Sequence, residues 1–179
     1  MGLFGFGKNN NKPTAPTTPT PNYTAAQYVA AGHRLRAEQK WYEAVESYKA
    51  AANMSDAEGL YWLGNCVLIG KGAVKDELLA CKLYGLAAKM NHREAIDTLF
   101  RYLDAIINDS LKTNDFAALS PYLKEGAEAG HLPSVYLYGY FLTVGGGNLQ
   151  QDRQEGYKWI KIAADNGYDV AKETLEKYY

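Results

Sequence analysis

The residues able to do chemistry are few, and they are spread along the chain. Three histidines, His33, His92 and His131, stand far apart, and the two cysteines, Cys66 and Cys81, form no Cys-x-x-Cys. A metal centre draws several such ligands from closely spaced positions, and that spacing is missing, so neither metal nor cofactor is expected. His92 and His131 each follow a turn residue at what reads as a helix start, which suits a structural role better than proton transfer. No Ser-x-x-Lys occurs, the nucleophile signature of the penicillin-recognising enzymes. Gly70-Lys71-Gly72 and Gly145-Gly146-Gly147 invite a phosphate-binding reading, but a P-loop needs Gly-x-x-x-x-Gly-Lys-Ser/Thr after a strand. Here the glycines lie between two helical patterns, where positive φ in a tight connection explains them.

Composition narrows the remaining classes. The 179 residues are 47% hydrophobic with a formal net charge of −1, enough apolar material for a core. Without a basic excess, no nucleic-acid partner is expected. Two cysteines are fewer than a small secreted disulfide scaffold uses. Fifteen tyrosines stand out, most of them expected to fill space between helices and the rest to anchor an interface. No apolar run reaches membrane-spanning length. Met1 to Lys8 (MGLFGFGK) is too short in apolar residues for a secretory signal. Gly2 meets only part of a myristoylation motif, because Phe6 stands where Ser or Thr belongs. Leu3, Phe4 and Phe6 form at most a short apolar hook, with weak membrane or partner contact open to it.

Asn9 to Asn22 holds four prolines and almost no apolar side chains, a composition that cannot bury enough surface to order itself. Residues 1–22 therefore read as a disordered tip and Pro/Thr-rich linker, and 23–179 as the folded domain. Within that domain the chain repeats itself. Ala51-Ala52, Ala87-Ala88, Gly126-Ala127 and Ala163-Ala164 are each followed three residues on by Ser55, Asn91, Gly130 and Gly167, which recur 36, 39 and 37 residues apart. Four past each turn residue sits a small residue (Gly59, Ala95, Ser134, Ala171), and eight past it a bulky one (Leu63, Leu99, Tyr138, Leu175). The apolar spacing predicts nine helices, at about 23–38, 41–53, 56–70, 76–90, 92–108, 114–129, 132–144, 152–166 and 168–178. Asp76, Asn114 and Asp152 are placed to cap second helices of pairs.

These residues resemble the Sel1-like repeat family, relatives of the tetratricopeptide repeat. The second repeat carries the pattern nearly whole in Ala57, Leu63-Gly64, Gly70-Lys71-Gly72, Asp76, Ala80, Tyr84 and Ala87-Ala88. The fourth matches in Tyr138-Gly139, Gly145-Gly146-Gly147, Asp152, Trp159 and Ala163-Ala164, with one residue inserted before the Asp and Gly156 at the Ala position. The first follows the shorter tetratricopeptide spacing through Tyr28, Ala31, Gly32, Leu35, Ala44, Tyr48 and Ala51. The third departs most, with Phe100 in place of the helix glycine and no Gly-x-Gly loop. The resemblance implies an all-α, right-handed superhelix of four helix pairs closed by a C-terminal capping helix. First helices would line its concave side.

With Leu63 and Gly64 given to packing, Tyr61, Trp62 and Asn65 fall on flanking faces of their helix. Asp97, Thr98 and Arg101, then Tyr136, Leu137 and Tyr140, occupy the matching positions further on. Such a face is expected to hold a protein or peptide partner. The expectation is a non-catalytic scaffold or adaptor, bacterial and cytoplasmic. Two alternatives stand beside it. One is a β-lactamase-like or ligand-binding enzyme of the cysteine-rich repeat subfamily, whose cysteine positions are filled here by Gly59 or Leu60 and by Ala88. The other is an immunity or chaperone partner of a secreted effector.

Overall fold

The computed structural model describes residues 23–178, so the expected tip and linker lie outside the described residues. Nine helices follow one another, with no strand among the described residues: α1 (Ala25–Ala37), α2 (Trp41–Asn53), α3 (Ala57–Ile69), α4 (Glu77–Lys89), α5 (Arg93–Thr113), α6 (Ser120–Glu128), α7 (Leu132–Val144), α8 (Arg153–Asp165) and α9 (Asp169–Tyr178). They form an all-α solenoid. Each odd-numbered helix up to α7 pairs with the next, and each pair packs on its neighbour through α2–α3, α4–α5, α6–α7 and α8–α9.

Helix starts are written in short polar side chains. Thr24 and Gln27 form a reciprocal capping box at α1, and Asp56, Asp76 and Asp152 accept the Gly59, Leu79 and Glu155 amides. Helix ends are written in the alanine pairs. The Ser55 amide donates to the Ala52 carbonyl and the Asp56 amide to Ala51; Asn91 and His92 do the same to Ala88 and Ala87, Gly130 and His131 to Ala127 and Gly126, and Gly167 and Tyr168 to Ala164 and Ala163. These are Schellman closures, and all four turn residues take the positive φ the motif requires. The repeated sequence is thus one repeated device: it ends a second helix and launches the next first helix.

Within a pair, glycine sets the distance. A Cβ on Gly32 would come within 2.5 Å of the Tyr48 ring, and one on Gly64 within 2.8 Å of the Tyr84 ring. On Gly139 it would meet the Gly156 carbonyl and the Trp159 Cβ at 2.8 Å. The loop glycine Gly72 is fixed for a different reason: a Cβ there would come within 2.2 Å of the Trp41 carbonyl oxygen. The Gly-rich loop is a close backbone approach and not a phosphate cradle.

The third pair departs from the expected boundaries. α5 runs to Thr113, past the expected end at 108; its buried stripe of Leu99, Leu103 and Ile107 ends before that point, and the added residues are mostly exposed. Asn114 does not cap the following helix. It takes left-handed φ and ψ and terminates α5. α6 starts only at Ser120, with Pro121 in its first turn. Phe100 stands at the glycine position, and the close approach is transferred to the second helix: a Cβ on Gly126 would come within 2.6 Å of Leu103 Cδ1. α6 rests on α4 as well as on α5. The loop after α7 holds its start, the Ser120 hydroxyl donating to the Gly147 carbonyl and the Asn148 amide to the Ala117 carbonyl.

Two glycines separate packing from propensity. Gly64→Leu should lower stability by about 1–3 kcal/mol through overpacking against Tyr84. Gly85→Ala, whose Cβ would have only Glu125 Oε2 at 3.6 Å, should gain up to about 1 kcal/mol. Urea denaturation of the two variants checks this. A stable Gly64→Leu would contradict the crossing geometry.

Candidate functional site

A trough of about 590 Å³ lies between α3 and the outer face of α5, lined by Tyr61, Glu94, Asp97, Thr98, Phe100, Arg101 and Asp104. On α5 the residues 94, 97, 101 and 104 step by three and four, so they share one helical face. Tyr61, Asp97 and Arg101 of the expected binding set, with Thr98, meet in this trough. Glu94, Phe100 and Asp104 were not expected there, although Glu94 and Asp104 share the helical face of Asp97 and Arg101 within the expected helix 92–108.

The other expected residues are placed elsewhere. Trp62 is half-buried, its indole stacked on Tyr48 and edge-on to His33, with the Arg36 guanidinium 4.0 Å from the ring centroid. The Asn65 amide donates to the Tyr61 carbonyl at 3.0 Å. Leu137 is partly buried and packs against Ile107, Leu119, Leu123 and Phe141 between α5, α6 and α7. Tyr136 stacks on Tyr140, tilts against Tyr168 and reaches Thr174 with its hydroxyl, which ties α7 to α9. Tyr140 is exposed.

Two histidines hold the trough's aromatic walls. At the start of α5, His92 Nδ1 accepts the Ala95 amide at 3.2 Å, so the proton sits on Nε2, 3.0 Å from Glu58. The Tyr61 ring stacks on this imidazole with centroids 5.0 Å apart. At the start of α7, the buried His131 places Nε2 3.1 Å from Asp104 and Nδ1 2.8 Å from the Ser134 hydroxyl. The Phe100 ring lies 4.8 Å from this imidazole. Each histidine therefore reaches from one first helix back to a carboxylate on the one before.

Asp104, His131 and Ser134 have the connectivity of a Ser-His-Asp triad, which no single-residue scan of the sequence suggests. The geometry closes that route. Ser134 is fully buried, and a Cβ on Gly126 would come within 2.5 Å of its hydroxyl oxygen, so no reacting carbonyl could approach. The cysteines are similarly inert: Cys66 and Cys81 are free and buried, their thiols pushed up by burial to about 11 and about 12. Tyr84, next to them in the core, keeps a buried hydroxyl with no partner among the described residues. Its counterpart Tyr48 meets His33 Nδ1 at 3.0 Å.

The chain is similar to several known proteins. No protein-family model matches it. Among curated proteins it is similar to the chitin synthase regulator SKT5 of Malassezia restricta, 30% identical over 126 residues. That match takes in 70% of this chain but only 9% of the regulator. Among solved structures it is similar to a Sel1 repeat protein from Oxalobacter formigenes, with 22% identity, 91% of this chain and 66% of that one covered, and a TM-score of 0.45. It is also similar to c5321, a protective antigen of uropathogenic Escherichia coli strains displaying an SLR fold, at 16% identity, 85% and 33% coverage and a TM-score of 0.45. The helix-pair fold is the one the Sel1-like resemblance implies. The glycine crossings, the Gly-x-Gly connection and the alanine-pair closures of this chain each occupy the place that pattern gives them.

His131 gives the protein a pH dependence. Burial holds its imidazole below the ordinary value, with Asp104 acting in the opposite direction. The unfolded ring takes a proton near about 6.5. Between that value and the lower folded one the unfolded state binds more protons, so stability falls as pH drops through this window. His33 shifts the same way, by burial and the nearby Arg36 charge. The urea midpoint should be lower at about pH 5.5 than at about pH 7.5, and His131→Asn should reduce the difference. An unchanged pH dependence in that variant would contradict the assignment.

Proposed function

We propose that this chain is a protein-binding scaffold and that its working surface is the trough between α3 and α5. The observation that carries the reading is the concurrence of two aromatic walls and an exposed polar stripe in one open groove of peptide-accommodating size. Aromatic side chains presented on rigid helices supply contact area at little entropic cost, which is why they dominate binding energy in interfaces. Tyr61 and Phe100 are held by imidazoles that are themselves anchored to a neighbouring helix, so little ordering remains to be done on binding.

A binding role also fits the chemistry described above. The triad-like array is sealed, and the two thiols are buried away from any reactant. The concave placement of first helices, a cytoplasmic location and a bacterial host belong to the same proposal. Regulation of another protein is what the name of the similar fungal protein describes. For this chain such a role extends to the helix-pair region alone.

The test is affinity capture from the native host with three versions of the full chain. The unmodified protein and Tyr42→Ala, an exposed change on α2, should enrich the same partner. Glu94→Ala combined with Asp97→Ala should lose it at least about tenfold, which corresponds to about 1.4 kcal/mol, with thermal stability unchanged. A partner held equally by all three would move the binding surface away from the trough.

A further inference from the structure

The trough's own chemistry points to what fills it. Its rim carries three carboxylates, Glu94, Asp97 and Asp104, against one guanidinium, Arg101. Glu58 adds a fourth acid beside the Tyr61 wall, through His92. The Arg101 Nε–H turns along its own helix and donates to the Asp97 carbonyl at 3.3 Å, and its single positive charge offsets only one of the carboxylates. The Asp104 side chain stays 57% exposed although it meets His131, and that of Glu94 is 70% exposed. Negative charge in a concavity between low-dielectric walls is focused toward its centre. The walls themselves are aromatic, and the face of an aromatic ring attracts a cation.

We infer that the trough takes a lysine- or arginine-bearing segment of a partner protein. The basic side chain would lie against Tyr61 and Phe100 with its charge among Glu94, Asp97 and Asp104. Charge complementarity fixes the sign, and the paired rings fix the need for an amphipathic, long side chain whose methylenes cover them. This rests on the scaffold reading above and deepens it: the scaffold reading needs only that the trough binds protein, whereas this one specifies the partner's charge.

One competitor is written in the chain itself. The first 37 residues contain no Asp or Glu, and Lys8 and Lys12 follow the apolar Leu3, Phe4 and Phe6. This segment is a basic sequence tethered to the same molecule. The experiment therefore includes a version that alters it.

The measurement is fluorescence anisotropy with the full chain and two labelled probes, a short Lys/Phe/Gly peptide and its Glu/Phe/Gly counterpart. The basic probe should bind at least about tenfold more tightly than the acidic one, and more weakly as salt rises. Glu94→Lys with Asp97→Lys should abolish the preference, Asp97→Asn should reduce it, and Arg101→Ala should strengthen basic-probe binding. Circular dichroism melts confirm that the variants fold. Equal binding of both probes, or a preference untouched by Glu94→Lys with Asp97→Lys, overturns the inference. Lys8→Glu with Lys12→Glu should leave the basic probe's affinity unchanged. An increase of about threefold or more would assign the trough to the chain's own N-terminal segment and overturn the partner assignment. If both probes bind equally while capture of a partner still depends on Glu94 and Asp97, the charge assignment fails and the scaffold reading stands. If neither probe binds and capture is also indifferent to those residues, both fail.

Discussion

The structure depends on how closely two helices of a pair can approach. A helix bearing ordinary side chains stands off its neighbour by the depth of both side-chain layers. Removing one layer at a single point lets an aromatic ring lie directly on a backbone, as Tyr48 does at Gly32 and Tyr84 at Gly64. Glycine in a helix interior costs about 1 kcal/mol relative to alanine. The close packing of a fully buried ring offsets that cost, so the first two pairs form close-packed wedges. Successive pairs are joined by the same Schellman closure, which turns each second helix into the next first helix.

The third pair breaks this rule, and the trough lies where it breaks. Phe100 occupies the glycine position, the close approach moves to Gly126 on α6, and α5 extends two turns beyond its counterparts. Phe100 and the polar stripe of α5 line the trough beside Tyr61 of α3. The histidines at the starts of α5 and α7 then brace the walls of that space from opposite sides. Phe100 is thus both the residue that breaks the pattern and a wall of the candidate site.

Much of this was legible in the sequence. The period, the turn residues, the caps at Asp76 and Asp152 and the roles of Gly64 and Gly139 all depend on local backbone rules, and local rules leave local signatures. The end of α5 was not legible, because Asn114 serves equally well as the cap of one helix or the terminator of another, and only its backbone conformation, left-handed here, distinguishes the two. The lining of the trough was partly legible for a similar reason. Register placed Tyr61, Asp97 and Arg101 on an outer face, but it could not tell that Leu137, at the equivalent of Trp62, turns into the core between α5, α6 and α7. Nor could it foresee the pairings of His92 with Glu58 and His131 with Asp104, which join residues 34 and 27 positions apart through the stacking of repeats.

The crossing geometry is tested most directly by a double-mutant cycle on its best-defined pair, Gly64 and Tyr84, read by urea denaturation. Gly64→Ala alone places a methyl against the ring, and Tyr84→Leu alone leaves a cavity. In the double variant the methyl enters the space the ring vacates. The account predicts that the double variant is more stable than the sum of the single effects by about 1 kcal/mol or more. Additivity within about 0.3 kcal/mol would mean that the two residues do not share one close contact, and the wedge on which this solenoid is built would have to be abandoned.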